Sequence, residues 1–198
     1  MTHQADVRAL AALESRNAHA GAFRRLSQAH WSDGRLSSRD KHLVAVAVGQ
    51  VTRCEYCIEH HAEIAKRLGA SLDELLAASY IAAALETFGR GEVKIDAAFT
   101  FEQRESVING TAIGAGRDTF ASTVFRDDTL PRELRLVSAA AVAQAQNHEP
   151  LRRSLHALAI EAGVTSEALE EAYAVAIILR AGAVYAHTLP IARLFEAK

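Results

Sequence analysis

The sequence predicts an all-α fold built from two copies of one helical unit. Three observations carry the prediction. Alanine recurs throughout, and only three prolines interrupt the chain; alanine costs least in a helix and proline most. Apolar residues return at helical spacing, separated by residues that start or stop helices. A shift of 94 residues lays the second half on the first without a gap, Leu36 on Leu130.

Residues 5–17 and 20–30 read as amphipathic helices. The tract WSDGRLSS, residues 31–38, reads as a loop broken by Gly34. A helix over 38–51 carries Leu43, Val44, Val46, Ala47 and Val48 and is apolar almost all round, as a buried helix is. The next helix, 54–68, stops at Gly69. Ser71 then caps a further helix, with Glu74 three residues on as its capping-box partner, and this helix runs to about 88. Residues 92–128, with glycines at 110, 114 and 116, read as a connecting region with no settled pattern.

The pattern then returns. Ala45, Ala47, Val48 and Gln50 fall on Ala139, Ala141, Val142 and Gln144. Ala65 falls on Ala159, Gly69 on Gly163, Ser71 on Thr165, Leu75 on Leu169 and Ala78 on Ala172. Upstream, Trp31 falls on Phe125 and Asp33 on Asp127. This is an internal duplication, with a first repeat in 1–98 and a second in 99–198. The copies differ where chemistry is concentrated: Cys54 falls on His148, Cys57 on Leu151 and His61 on Leu155.

Composition narrows the function. The chain has 198 residues, 49% hydrophobic and 23% charged, with a net charge of −2. That supports a real core and gives no reason to expect nucleic acid, since no basic block marks a binding patch. The first residues carry charges throughout and lack the apolar stretch of a signal peptide. No uninterrupted run of eighteen apolar residues occurs, so no membrane span is expected. The expected compartment is the cytoplasm, where thiols stay reduced unless they do redox work.

The chemistry centres on CEYCIEHH, residues 54–61, which holds both cysteines. At a helix start, unpaired N–H groups and a partial positive charge favour a thiolate, and the thiolate is the nucleophile. His61 lies four residues beyond Cys57, on the same helix face, where it can hold or relay the proton. Cys54, one turn earlier, is within disulfide reach of an oxidised Cys57. Three readings stay open: a redox dithiol, which is favoured; a zinc site using both cysteines and His60 or His61, which lacks a fourth ligand; and two structural core cysteines. His60, about 100° round the helix from His61, reads as a surface or interface residue. In an antiparallel hairpin closing near Thr52 and Arg53, His42 lies roughly 15 Å below the tip and His61 roughly 12 Å. His42 can then meet His61 and pass its proton, or it is a solvent-facing histidine of a first turn. His3, His19, His30, His148, His156 and His187 read as structural, and Glu55, Glu59 and Glu63 as solvated.

The stretch LSSRDKHLVAVAVGQVTRCEYCIEHHAEIAKRLGAS resembles the signature of the carboxymuconolactone decarboxylase-like superfamily, and within it the alkylhydroperoxidase AhpD-like branch. The specific match covers about 36 residues; the second repeat extends the scaffold resemblance over most of the chain. The resemblance implies an AhpD-like helical bundle, assembled as a homotrimer or homohexamer. It implies a thiol-dependent alkyl hydroperoxidase with Cys57 as the peroxidatic cysteine, Cys54 as the resolving one and His61 as the proton relay. It implies no cofactor beyond a redox-active Cys54–Cys57 disulfide, a small hydroperoxide as substrate, and a thioredoxin-like or lipoyl protein as reductant. The relatives carry a glutamate twelve residues before the first cysteine; here that position is His42. The alternatives are a lactone-processing enzyme that leaves the thiols idle, and a zinc or redox-sensing module using the same dithiol.

Overall fold

The computed structural model describes residues 3–196, and they form an all-α bundle with one small antiparallel hairpin. In chain order the elements are α1 (His3–Arg16), α2 (Ala18–Gln28), a 3-10 turn (Ala29–Trp31), α3 (Ser38–Thr52), α4 (Glu55–Arg67) and α5 (Leu72–Glu86). Then come β1 (Val93–Ile95), β2 (Phe101–Gln103), α6 (Ala112–Arg126), α7 (Arg132–Ala145), α8 (Glu149–Glu161), α9 (Ser166–Ala186) and α10 (Thr188–Glu196).

The duplication is written in the backbone. The starts of α2, α3, α4 and α5 correspond, at the same 94-residue shift, to those of α6, α7, α8 and α9. The joint between α3 and α4 turns on Arg53 at φ 53°, and that between α7 and α8 on Asn147 at φ 54°. Gly69 and Gly163, at φ 93° and 90°, end α4 and α8 in the left-handed conformation that favours glycine. The capping box predicted at Ser71 and Glu74 is formed, and Thr165 caps α9 in the matching place.

The core lies between the two central helices. Residues 41–49 of α3 and 134–143 of α7 are buried without a break, each helix packing on the other and on α5, α9 and its own hairpin partner. The all-round apolar character of α3 and α7 is consumed inside the chain. Exposed apolar side chains sit elsewhere, at Leu72, Leu76 and Tyr80 along α5 and at Ile177, Val184 and Ile191 along α9 and α10. The segment Ser166–Leu194 is in fact long and apolar enough to cross a membrane by length and composition. Searching for an uninterrupted apolar run misses it, because charges break the run. Its inner face, with Leu169, Val175 and Leu179, packs into the protein core.

The connecting region also departs from expectation. β1 and β2 pair antiparallel, Val93 with Gln103 and Ile95 with Phe101. Strands of three residues carry too little alternation to be read from a sequence. The hairpin covers α8, where the Ser154 hydroxyl donates to the Val93 carbonyl at 2.8 Å; in the first repeat α1 covers α4.

Candidate active site

The site is built at the α3–α4 joint. The left-handed turn at Arg53 reverses the chain, so that Cys54 becomes the N-cap of α4: the Cys57 N–H donates to the Cys54 sulfur at 3.2 Å. Cys54 and Cys57 are joined in a disulfide, and each is 4% exposed. The sequence reading gave the helix N-terminus to the pair in common, whereas the structure aims its N–H group at Cys54. In the second repeat His148 keeps the capping role alone. Its Nδ1 accepts from the Leu151 N–H at 3.3 Å and its Nε2–H donates to the Gly89 carbonyl at 2.6 Å.

His42 and His61 meet across the hairpin, with Nδ1 2.8 Å from Nδ1. One ring therefore donates and the other accepts, which requires at least one of the two to carry its lone pair there. Both are buried, and His42 is not the solvent-facing residue of the alternative reading. Burial, followed by the charges of His60 and Arg67, pushes His42 down to about 4. Burial, then His60 and His42, holds His61 well below the ordinary histidine value. The pair is neutral at pH 7.

Two residues that the sequence reading did not place at the site belong to it. Trp31 stacks on His42, with centroids 4.8 Å apart and planes 14° apart, and lies 4.6 Å from His61. The available signal was its alignment with Phe125, a fully buried residue. His60 is not on the outer surface: its ring stands edge-on to His61 at 5.2 Å and stacks on Tyr56 at 5.5 Å. Burial, then His3, pushes His60 down to about 4, and burial pushes the Tyr56 phenol up to about 12. Helical spacing within α4 does not reveal this, because the cover on that face comes from α1. His3 lies 5.2 Å from Tyr56 ring to ring and 3.4 Å from the Glu59 carboxylate.

These groups open onto a cavity of about 380 Å³ roofed by α1, α2 and the end of α9. Cys57, His42, His60 and His61 line one side, and Leu10, Phe23, Ile178 and Gly182 supply apolar wall. Cys57 is on this wall and Cys54 is not. At the matching place in the second repeat, Phe125, Leu136, Leu151 and Leu155 are each fully buried, and Phe99 and Phe101 pack against Phe125. The second copy is a hydrophobic plug where the first is a cavity. Among the described residues, no three His, Cys, Asp or Glu side chains are grouped to hold a metal ion.

The profile of the carboxymuconolactone decarboxylase family matches this chain twice, over residues 18–98 and 112–194. The chain belongs to the carboxymuconolactone decarboxylase family. The two matches begin on α2 and α6, the corresponding helices of the two repeats. The chain is also 45% identical over 62 residues to "Uncharacterized protein 4 in cox locus" of Paracoccus denitrificans, a stretch that covers 31% of this chain and 56% of that relative. The chain thus spans just over half the length of that relative. No solved structure matches it.

Proposed function

We propose that the chain is a thiol-dependent hydroperoxidase of the alkylhydroperoxidase AhpD-like kind. One observation carries the reading: the two cysteines are joined in a disulfide whose Cys57 lines a cavity shared with the His42–His61 pair.

The Cys57 thiolate attacks the distal oxygen of a hydroperoxide, the O–O bond breaks, and the leaving alkoxide takes a proton to become an alcohol. Cys57 is then a sulfenic acid. The Cys54 thiolate attacks its sulfur, water leaves, and the disulfide forms. An external dithiol, on a thioredoxin-like or lipoyl protein, reduces the disulfide and is itself oxidised. No resident cofactor is required.

Each group has a part. With Nδ1–H on His61 pointing at His42, the Nε2 of His61 is free to take the Cys57 proton, and the Nδ1 proton can pass to His42. Taking the Cys57 proton makes the pair cationic, and because burial disfavours that charge the proton is handed on to the leaving alkoxide. Cys54, receiving the Cys57 N–H, gains stabilisation as a thiolate, which suits both the resolving attack and the departure on reduction. The apolar roof fits an organic hydroperoxide. A reducing cytoplasm would keep the cycle supplied, and the exposed apolar stripes on α5 and α9 would be covered in a homotrimer or homohexamer.

The test is trapping of the sulfenic acid. In Cys54→Ser, one equivalent of cumene hydroperoxide followed by dimedone should label Cys57, detected by peptide mass spectrometry. Cys57→Ser should give no label and no peroxide consumption. Full retention of a lactone-decarboxylating activity in Cys57→Ser, with no labelling in Cys54→Ser, would replace this reading with the lactone one.

A further inference from the structure

The second repeat lacks the site but reaches back into the first. Glu171, on α9, sets its carboxylate against the loop between Trp31 and α3. Its Oε1 accepts from the Arg35 N–H at 2.9 Å and its Oε2 from the Leu36 N–H at 3.0 Å. Gly34 makes this possible, because a Cβ there would stand 2.3 Å from Oε1. Lys41, 3% exposed, closes the arrangement. Its Nζ lies 3.1 Å from Oε2 of Glu171 and donates to the carbonyls of His30 at 3.0 Å and Ser32 at 2.7 Å. These two carbonyls flank Trp31, whose indole covers His42 and His61.

The pseudo-symmetric position offers a comparison. Lys41 corresponds to Arg135 and Glu171 to Ala77. Arg135 is buried, yet its Nε and Nη1 have no hydrogen-bond partner and it rests over the Phe99 ring. The copy with no histidine pair has no clamp. A pair needed only to hold α9 on the bundle would have served both halves.

We propose that Glu171 is a positioning residue for the dithiol site: through Lys41 and the 32–36 loop it holds Trp31 on the His42–His61 pair, keeping the two rings aligned and dry. The inference rests on the reading of that pair as the proton relay for Cys57. Burial pushes the Glu171 carboxyl up, but the Leu36 and Arg35 N–H groups and Lys41 together hold it below the ordinary range, so the clamp is charged at neutral pH. Loosening Trp31 admits water to the pair, and water relieves the burial that keeps both histidines neutral.

Trp31 is the chain's single tryptophan, so its emission reports on its own surroundings, which are the His42 and His61 rings and the His30 ring edge-on at 5.7 Å. The experiment compares reduced wild type with Glu171→Ala, Glu171→Gln and, as a control, Glu149→Gln, which breaks a surface pair with Arg152 on α8. Three quantities are read: acrylamide quenching of Trp31, the pH midpoint of its emission, and the pH profile of Cys57 alkylation. Glu171→Ala should raise the quenching constant and move the emission midpoint upward by about one pH unit or more, toward the ordinary histidine range. The alkylation profile should change with it. Glu171→Gln, which keeps an acceptor oxygen for the loop, should fall between, and Glu149→Gln should match wild type. A lower melting temperature with Trp31 quenching, midpoint and alkylation profile unchanged in the Glu171 variants would overturn the proposal. If the alanine variant does not fold, the glutamine variant decides on the same readings. None of the Trp31 readings uses a peroxide, so failure of the peroxidase reading would show separately, as wild-type thiols that survive hydroperoxide.

Discussion

Cys54 and Cys57 are three residues apart and stand in different surroundings. Cys54 faces the N–H of the first helical turn, and Cys57 faces the cavity and the histidines. His61→Ala should therefore slow peroxide-driven oxidation of Cys57 by about 10²-fold, the usual weight of one acid–base group, measured by stopped-flow. An unchanged rate would remove His61 from the reaction. His42→Glu tests the replacement of the relatives' carboxylate. A fixed negative charge beside His61 should raise its basicity and speed Cys57 alkylation at pH 7 by about tenfold, the equivalent of one pKa unit. A slower or equal rate would mean that the histidine pair is already the better arrangement. His42 and His61 were legible as neighbours from helical rise alone, since both lie at similar depths from one hairpin tip. His60 was not, because its burial comes from α1, an element with no periodic tie to α4.

At the scale of elements, the two repeats are a built-in comparison. Thr111 caps α6 as Asn17 caps α2, and Thr165 caps α9 as Ser71 caps α5, so the two repeats share a scaffold and differ in the chemistry at the site. The plug residues should then carry stability that the site residues do not. Leu155→Ala should cost about 3 kcal/mol by leaving an apolar void. His61→Ala, at the matching position beside an existing cavity, should cost far less. Thermal melts of the two variants check this, and equal losses would contradict it. The helices that repeat were readable from punctuation: Ser71, Gly69 and their mates at Thr165 and Gly163. α6 was hidden because Gly114 and Gly116 dilute its helical pattern, although Gly114 is required there: a Cβ would stand 2.4 Å from the Ile108 carbonyl oxygen.

Over the whole molecule, burial pushes four histidines, His30, His42, His60 and His61, below the ordinary value, and folding stability must follow them. Their pKa values lie below the unfolded value of about 6.5, at about 4 for His42 and His60 and well below it for His61. The unfolded chain therefore binds protons first as pH falls. Stability is full above pH 6.5 and is lost progressively from there down to about 4. The melting temperature should drop by about 5 °C or more between pH 7 and pH 5, and His42→Gln should flatten that fall; a curve flat in wild type would contradict the buried, neutral pair. The exposed stripes on α5 and α9 bear on assembly. Light scattering should give three or six chains, and Ile177→Asp with Val184→Asp should lower that number, while a wild-type monomer would refute the assembly proposal. The exposed stripes were not legible in the sequence, because periodicity cannot tell helix packing within a chain from packing between chains.

The most direct measurement is a thiol count on the reduced wild-type protein before and after one equivalent of organic hydroperoxide. A dithiol cycle predicts loss of both thiols, one alcohol released per disulfide formed, and full recovery with dithiothreitol. Two thiols remaining after the hydroperoxide has been added, with the hydroperoxide intact, would contradict it.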